Sequence, residues 1–412
     1  MKRRVVVTGM GVISPAGNDV NTFWKSLCAG VSTADRITKF DPTNFETQFA
    51  CEVKGFDPLK YIDKKSVRRM DGFVHYAIAA ASQSISDAKL DLNKEDLTKI
   101  GVVVGSGIGG LSTLEDQVKV FLERGPSRVS PFFIPMMLSN MASGQISIIF
   151  GLKGPSACIV TACATGNSCI GESFKLIQYG DADVMVAGGT EYAITQLAVS
   201  GFCAARALSI RNDDPKRASR PFDKNRNGFV IGEGAGIIIL EELEHALKRG
   251  VPIYCELIGY GLSSDAYHIT SPAPGGEGGA LAMANAIKDA NLKPEDIDYI
   301  NAHGTSTLAG DISETDAIKK TFKEHSYKLA ISANKSMIGH LLGAAGGVEG
   351  IATVLTIKNS IIPPTINYEE KDPQCDLNYV PNKAMQKEVK VALSNSFGFG
   401  GHNATIVLKR YE

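Results

Sequence analysis

Cysteine, net charge and long apolar runs are all scarce in this sequence, and each scarcity excludes a class of protein. Only 8 of the 412 residues are cysteine, without a CxxC pair or regular spacing, which argues against a disulfide framework and indicates reduced thiols in the cytoplasm. The 43 Lys and Arg nearly balance the 44 Asp and Glu, and this near-zero net charge argues against nonspecific nucleic-acid binding as the main task. No run approaches the ~18 apolar residues of a membrane span.

What the chain does contain predicts a large α/β protein. Hydrophobic residues make up 44% and charged residues 21%, which is enough for a substantial core. At about 150 residues per domain, the length suggests two or three domains or one fold of two similar halves. Runs of β-branched residues alternate with helical patterns, which predicts sheets buried on both faces. We expect strands at Arg4–Val7, Ile100–Val104, Ala157–Thr161, Val184–Ala187, Gly236–Leu240, Tyr299–Ala302, Leu329–Ser332 and Val391–Ser394.

An internal similarity indicates that the fold is duplicated. Residues 84–90 resemble residues 286–292, and each segment leads through an Asp-bearing turn into a strand and a glycine-containing loop. The two copies lie much further apart than the period of a solenoid repeat. We therefore interpret residues 1–250 and 251–412 as two α/β halves, with chance similarity between amphipathic helices as the alternative.

Three further segments have less regular patterns. Leu111–Lys153 includes an apolar, proline-broken stretch at 131–137, which suits a pocket wall or a subunit interface. Arg206–Asn227 is basic and rich in turn residues, so we expect it at the surface. Gly105–Gly110 matches the pattern G-x-G-x-x-G of dinucleotide sites, but no second strand ending in an acidic residue follows it. We interpret that segment as a turn with close backbone approach.

Cys163 is the strongest candidate nucleophile. We expect a strand over residues 156–162 and a helix from residue 164, which places Cys163 at the corner between them. The small residues around it permit a sharp turn and the approach of a substrate carbonyl. A helix N-terminus stabilises a thiolate, and its free N–H groups can bind an oxyanion. A buried structural cysteine is the alternative.

Two histidines occupy similar corners in the second half. His303 and His340 each follow a predicted strand and lie in loops rich in glycine and hydroxyl residues. Open α/β sheets bind ligands at the carboxyl ends of their strands, so we expect a site there. One thiolate and two neutral imidazoles suit decarboxylative condensation, in which sulfur carries a thioester and the imidazole N–H groups stabilise an enolate. A cysteine hydrolase with a single histidine base stays open.

At these residues the sequence resembles the β-ketoacyl-acyl-carrier-protein synthases, in particular their elongating type II members, over essentially the whole chain. The similarity lies in four motifs: Thr161–Gly166, Ala302–Thr305, Lys335–His340 and Asn395–Gly401. The resemblance implies a thiolase-like α/β fold, in which duplicated halves form a layered αβαβα core. The sequence has a Cys-His-His set of catalytic residues. Initiating synthases look like Cys-His-Asn instead, and degradative thiolases carry a second cysteine in the C-terminal motif.

The resemblance also implies roles for the catalytic residues. Cys163 would accept the acyl chain, and His303 and His340 would promote malonyl decarboxylation and stabilise the enolate. The backbone N–H groups of Cys163 and Phe399 would form an oxyanion hole, and the Phe399 ring would gate the pocket. Lys335 matches the family lysine.

Further positions match the family in supporting roles. Lys335 would pair with Glu349 and hold the histidine loop, or serve only as a structural ion pair. No cofactor is expected beyond a structural monovalent cation, K⁺ or Na⁺, whose matching positions are Asn301, Glu349, Ser394 and Asn395. Substrate-binding positions would be Ile108, Phe133, Phe202, Thr305 and Thr307.

Other inferences concern the partner subunit and the departures from the family. Phe133 would cross a dimer interface into the partner's pocket. Asn334 and Ile338 replace the threonines expected around the histidine loop, so hydrogen bonding and malonyl positioning there are expected to differ. The catalytic residues themselves are intact.

A basic cluster at residues 64–69 predicts a docking surface. Lys65, Arg68 and Arg69 share one face of a predicted helix by their spacing, and Arg206 would add to them. A solvated charge run is the alternative, but acyl-carrier proteins are acidic and the family docks them at a matching patch. The sequence thus predicts a cytoplasmic, homodimeric acyltransferase that extends fatty acyl chains by two carbons. A polyketide ketosynthase stays open, as does a catalytically silent chain-length partner, which Cys163 disfavours.

Overall fold

The computed structural model describes residues 2–412, which form strands and helices around one large sheet. The strands are β1 Val5–Ile13, β2 Asp35–Arg36, β3 Phe49–Ala50, β4 Ile100–Gly105, β5 Ser156–Ala157, β6 Val184–Glu191, β7 Gly234–Glu242, β8 Cys255–Ser264, β9 Tyr299–Asn301, β10 Ala330–Ser332, β11 Ile361–Ile362, β12 Met385–Gln386, β13 Val391–Gly398 and β14 His402–Lys409. The helices are α1 Val20–Cys28, α2 Lys64–Val67, α3 Gly72–Asp87, α4 Leu111–Arg124, α5 Phe133–Met137, α6 Met141–Phe150, α7 Thr165–Tyr179, α8 Gln196–Ala204, α9 Leu243–Arg249, α10 Glu277–Asp289, α11 Leu308–Phe322, α12 Lys335–Ile338 and α13 Ala345–Asn359.

The large sheet consists of two matching halves. Its strand order is β10-β9-β13-β14-β8-β1-β7-β6-β4-β5, so β8 and β1 pair at the centre. The strands on one side of this pair precede residue 243, and those on the other side follow residue 254. In both halves the two inner pairings are antiparallel and the two outer ones are parallel. The predicted duplicated α/β fold is confirmed, while the limits 1–250 and 251–412 stay a prediction.

Helices cover both surfaces of each half-sheet. In the middle of the fold, α7 packs against β6 and β4, and α13 packs against β7 and β13. On the outside, α3 covers β1 and β7, and α10 covers β8 and β14. The central position of α13 explains its composition, because every residue from Ala345 to Ile357 is buried. Among residues 2–412, no helix combines the length and the apolar character that a membrane crossing requires.

Two sequence expectations about local structure are wrong. The strand expected to reach Cys163 ends at Ala157, because the Ser143 hydroxyl accepts the N–H of Val104 and donates to the C=O of Ala157, so these two groups do not pair with each other and the ladder between β4 and β5 ends. The segment 206–227 is not wholly a surface loop, since Arg220 and Arg226 are fully buried. Buried or partly buried carboxylates compensate both guanidinium groups, which makes their burial tolerable.

The helices α7 and α13 begin at matching corners. Each follows a three-residue 3₁₀ turn, Ala162–Ala164 or Leu342–Ala344, whose first residue has a positive φ of 50° or 51°. The two helix starts touch, since a Cβ on Gly166 would lie only 2.5 Å from the backbone nitrogen of Gly347. The duplicated corners therefore face each other across the interface between the halves.

Candidate active site

One cavity of about 250 Å³ is lined by Cys163, His303 and His340. Cys163 lies in the 3₁₀ turn before α7, and His303 lies in the loop after β9. His340 follows α12, where its N–H donates to the carbonyl of Val230 at 2.7 Å and its carbonyl accepts from the N–H of Gly232 at 2.8 Å. The fold thus brings together three side chains that the sequence places in different halves.

The Cys163 thiol is almost fully enclosed. Burial raises its pKa to about 12, although the Lys335 ammonium and the backbone N–H groups of Phe399 and Cys163 act in the opposite direction. This direction is opposite to that expected from the helix N-terminus, because lost solvation outweighs the N–H donors. A Cβ on Gly398 would lie 2.6 Å from the Thr161 carbonyl oxygen and 3.0 Å from the Cys163 nitrogen, so glycine allows β13 to reach the nucleophile turn.

The two imidazole rings lie side by side and nearly perpendicular. Their centroids are 5.3 Å apart with an interplanar angle of 86°. The N–H of Leu342 donates to His340 Nδ1 at 3.3 Å, and Lys335 Nζ lies 3.4 Å from His303 Nδ1. A neutral imidazole that accepts at Nδ1 carries its proton on Nε2. This hydrogen-bond network assigns both histidines as Nε2–H donors.

Both histidines are neutral at physiological pH. Burial holds the pKa of His303 and of His340 well below the usual value, and the Lys335 ammonium lowers both further. A neutral imidazole N–H donates a hydrogen bond to an oxyanion without transferring its proton, as a stronger acid would. The site therefore has the two uncharged donors that an enolate oxygen requires.

Lys335 and Glu349 form the buried pair that the sequence resemblance implies. Lys335 Nζ lies 2.5 Å from Glu349 Oε1, and both side chains are buried. Burial raises the pKa of Glu349 to about 7, while the neighbouring ammonium lowers it. The ion pair with Glu349 holds the Lys335 ammonium beside His303 Nδ1, and the ammonium in turn orients the imidazole ring of His303.

Two buried carboxylates near the site were missed by sequence reasoning. Glu314 of α11 accepts the backbone N–H groups of His303 at 2.9 Å and Gly304 at 2.7 Å. Glu191, at the end of β6, accepts four hydrogen bonds near Cys163. In the sequence Glu314 looks like a solvated helix residue, so nothing there indicated its role. Glu191 could have been found, because it is an acidic residue at the end of a buried strand.

The predicted substrate positions divide into two groups. Three of them, Phe202, Thr305 and Thr307, line the cavity with the catalytic residues, as does the docking candidate Arg206. The Phe202 ring meets the Phe229 ring edge to face with centroids 5.4 Å apart, and its centroid lies 6.5 Å from that of the Phe399 ring. The three rings together form an aromatic wall of the cavity. Ile108 and Phe133 do not line this cavity in the single chain, and their contact with substrate stays a prediction.

The side chains predicted to bind a cation are buried, and only some of their oxygen atoms take part in hydrogen bonds. Asn301 Oδ1, Glu349 Oε2 and Ser394 Oγ have no hydrogen-bond partner within residues 2–412. Asn395 differs, because its amide donates to Glu314 at 3.2 Å and its oxygen accepts from Thr405 at 2.9 Å. The three free oxygens suit a hard cation. Because Lys335 already balances Glu349, the one carboxylate among these three side chains, they fit a monovalent ion better than a divalent one.

Three of the four predicted docking residues, Lys65, Arg68 and Arg69, lie on an exposed surface separate from the cavity that Arg206 lines. The helix is shorter than expected, since α2 ends at Val67 and Arg68 and Arg69 lie in the following turn. The Arg69 guanidinium lies 4.6 Å from the ring centroid of Phe132. Within residues 2–412, Lys65, Arg68 and Arg69 form no ion pair, so their charges face solvent.

The two departures from the family motif are both buried. Ile338 has no polar atom to satisfy, whereas neither side-chain polar atom of Asn334 has a hydrogen-bond partner in the described chain. The altered hydrogen bonding expected from the sequence is thus localised to Asn334.

The fold and the cysteine–histidine cavity define a thiolase-like condensing enzyme. Comparison with known proteins agrees: residues 2–246 match the model for Beta-ketoacyl synthase, N-terminal domain, and residues 254–369 match the C-terminal domain. The chain belongs to the beta-ketoacyl synthase family, which confirms the predicted family, fold class and acyltransferase class.

Full-length relatives support this membership. The chain is 55% identical over 411 residues to 3-oxoacyl-[acyl-carrier-protein] synthase 2 of Synechocystis sp., covering 100% of this chain and 99% of the relative. The protein of the same name from Coxiella burnetii is 53% identical over 409 residues, 99% of both chains.

Solved structures agree over the whole length. A beta-ketoacyl synthase from Burkholderia phymatum has a TM-score of 0.92 at 35% identity, covering 100% of both chains. A ketosynthase in complex with a type II polyketide acyl-carrier protein gives a TM-score of 0.93 at 34% identity, again covering 100% of both chains.

Proposed function

We propose that this enzyme condenses an acyl thioester with malonyl-acyl-carrier protein and thereby extends fatty acyl chains by two carbons in the cytoplasm. The observation that carries the proposal is the convergence of one thiol, two Nε2–H donors and the Phe399 N–H on a single cavity. A hydrolase needs only one of these histidines as its base. The second donor is explained by an enolate intermediate.

The first half-reaction loads the acyl chain. The Cys163 sulfur attacks the thioester carbon of acyl-carrier protein, and the carrier thiol leaves with the proton of the cysteine. The N–H groups of Cys163 and Phe399 stabilise the tetrahedral oxyanion. The high pKa of the free thiol implies that proton transfer accompanies the attack.

The second half-reaction forms the carbon–carbon bond. Malonyl-carrier protein loses carbon dioxide, and the electron pair left behind is stabilised as an enolate whose oxygen accepts hydrogen bonds from His303 and His340. The enolate carbon attacks the acyl-Cys163 thioester, and collapse of the tetrahedral intermediate expels the Cys163 thiolate, which takes up a proton from solvent to restore the thiol. The products are 3-oxoacyl-carrier protein and carbon dioxide, with free carrier protein from the first step.

Fatty acyl substrates are favoured over polyketide intermediates by the degree of similarity. The full-length relatives named 3-oxoacyl-[acyl-carrier-protein] synthase 2 are 53–55% identical, whereas the ketosynthase in complex with a type II polyketide acyl-carrier protein is 34% identical. The test is incubation with malonyl-carrier protein and saturated acyl-carrier proteins of graded length, with mass spectrometry of the products. Extension by one two-carbon unit supports the proposal, and repeated extension without reduction of the keto group supports a polyketide synthase instead.

We propose that the surface of Lys65, Arg68 and Arg69 binds acyl-carrier protein. Replacing Arg68 and Arg69 by glutamate is expected to raise KM for carrier-linked substrates by at least about tenfold, because attraction becomes repulsion. Turnover of short acyl-CoA analogues should not change. Steady-state kinetics with both substrate types checks this.

A matched control for docking is the double variant Lys94→Glu and Lys248→Glu. It makes the same change in net charge at exposed positions outside the cluster. KM should stay within about twofold of the native value. Equal losses with carrier-linked and CoA-linked substrates in the Arg68 and Arg69 variant would contradict docking at this surface.

We propose that K⁺ or Na⁺ binds Asn301, Glu349 and Ser394. A buried oxygen without a partner is destabilising, so the cation should stabilise the native state. We expect the Tm to be about 2–5 °C higher in KCl or NaCl than in tetramethylammonium chloride of equal ionic strength. Scanning calorimetry measures the difference, and Ser394→Ala should reduce it. Equal Tm values in the three salts would contradict the site.

We propose that the enzyme is a homodimer. The elements α4, α5, α6 and edge strand β5 adjoin one another and carry exposed apolar side chains, including Leu122 and Ile148, which are 75% and 71% exposed. Such a face on a sheet edge fits a second copy of the chain. This arrangement gives Phe133 of α5 a route toward the partner's pocket.

Sedimentation equilibrium tests the dimer. The native protein should have about twice the 43.9 kDa mass of one chain, and Ile148→Glu should shift it to the monomer. Leu247→Glu, at an exposed leucine on α9, is the matched control and should remain dimeric. A native monomer at micromolar concentration would contradict the interface.

A further inference from the structure

The backbone of His340 is held by one short segment, residues 229–233. The His340 N–H donates to the Val230 carbonyl at 2.7 Å, and the His340 carbonyl accepts from the Gly232 N–H at 2.8 Å. The Phe229 ring meets the His340 imidazole edge to face with centroids 5.2 Å apart. The position of His340 therefore depends on where this segment lies.

Glu233 anchors the end of the segment in the core of the first half. Its side chain is fully buried. Its carboxylate accepts the N–H of Val53 at 3.0 Å and the hydroxyl of Tyr76 at 3.4 Å, and it forms an ion pair with the Lys39 ammonium. Within residues 2–412, no other basic side chain pairs with Glu233. These contacts tie the segment to three separate parts of the chain.

Lys39 is itself held in place by its surroundings. Glu52 accepts the backbone N–H of Lys39 at 3.2 Å, and Lys39 Nζ lies 3.5 Å from the centroid of the Tyr192 ring. Burial raises the pKa of Glu233, whereas the Lys39 ammonium lowers it, so the lysine favours the charged carboxylate. A buried ion pair is often no more stabilising than apolar side chains of similar size. A role in positioning therefore explains this pair better than a contribution to stability.

We propose that Glu233 and Lys39 are positioning residues for His340, because their ion pair fixes the segment to which the histidine backbone is hydrogen-bonded. The inference rests on the proposed function, in which His340 donates its Nε2–H to the enolate oxygen. The backbone of His303 is held by Glu314 instead. Loss of the ion pair is therefore expected to weaken the contribution of His340 and to leave that of His303 unchanged.

The test replaces Lys39 by methionine, which removes the charge and keeps most of the side-chain length. The Lys39 side chain is 20% exposed, so the variant should fold. For malonyl-carrier protein, kcat of decarboxylation should fall about tenfold, because a small misplacement of a catalytic group is costly, while KM stays within about twofold. The rate of Cys163 acylation, followed by intact mass, should not change. Lys39→Arg can form the same ion pair and should recover most of the lost kcat.

A double-mutant cycle separates positioning from general destabilisation. In the His340→Ala background, Lys39→Met should cause no further loss of decarboxylation, because the group that it positions is absent. In the His303→Ala background, Lys39→Met should still cost about tenfold. Glu233→Gln should behave like Lys39→Met in both backgrounds, and if one of these two variants does not fold, the other decides the question.

Lys175→Met is the matched control. Lys175 is 22% exposed, pairs with Asp289 at 2.7 Å and has its Nζ 5.0 Å from the ring centroid of Phe174, so it resembles Lys39 but lies outside the cavity lining. Its decarboxylation should equal that of the native protein. Unchanged decarboxylation in Lys39→Met, an equal loss in Lys175→Met, or a further loss in the His340→Ala background overturns the inference. Native protein without decarboxylation or condensation would instead refute the proposed function.

Discussion

Replacing Cys163 by alanine is expected to abolish condensation while malonyl decarboxylation remains measurable. The sulfur is the only group in the cavity placed to carry the acyl chain as a thioester, and loss of a nucleophile typically lowers turnover by at least about 10⁴-fold. Decarboxylation depends on His303 and His340, which alanine at position 163 leaves in place. Product mass spectrometry measures condensation, and release of labelled carbon dioxide measures decarboxylation.

Cys203, which lies outside the catalytic cavity, provides the control. Cys203 is partly buried in α8, and Cys203→Ala should retain both activities. Intact-mass analysis with acyl-carrier protein should detect one acyl group on the native chain and on Cys203→Ala, and none on Cys163→Ala. Condensation retained by Cys163→Ala would refute its assignment as the nucleophile.

Replacing His303 or His340 by alanine is expected to lower malonyl decarboxylation by about 10²–10³-fold, the usual cost of removing one oxyanion donor. Cys163 should still become acylated, because the N–H groups of Cys163 and Phe399 remain. Intact mass reports acylation, and carbon dioxide release reports decarboxylation. Loss of acylation together with decarboxylation in both variants would contradict the division of labour.

The pH dependence gives an independent check on the two histidines. Their pKa values lie well below the usual value of about 6.5, so both stay neutral as the pH falls through that value. Native decarboxylation should therefore persist at about pH 6. A loss of activity centred near pH 6.5 would indicate ordinary, solvated imidazoles. His325 lies outside the site, so the control variant His325→Ala should leave the pH dependence of decarboxylation unchanged.

Much of the site could be predicted because its chemistry is local in sequence. The small residues around Cys163 and the strand-end positions of His303 and His340 are visible without a structure. The strand before Cys163 was predicted too long, because the Ser143 hydroxyl that ends the ladder comes from a different element. Strand β8 was missed because two glycines interrupt its apolar run, whereas the run Ala404–Leu408 in β14 was a usable signal that sequence reasoning passed over.

Other features depend on packing and could not be predicted from the chain alone. Arg226 looks like a surface residue until Asp311 and Asp372, from distant segments, are seen to enclose it. Glu314 lies on a helix of mixed polarity, and only the position of α11 directs it to the backbone of His303. The raised pKa of Cys163 likewise reflects enclosure by both halves, whereas its position at a helix start predicted the opposite direction.

The matching corners also determine which substrate can become covalently attached. The residue at the centre of the second 3₁₀ turn, where Cys163 stands in the first, is Gly343. Glycine has no nucleophile, so the two substrates cannot exchange roles although the scaffold is almost symmetrical. On the proposed mechanism we therefore expect ping-pong kinetics, with each new unit inserted at the carrier end, because only the first half offers a group that can hold the acyl chain.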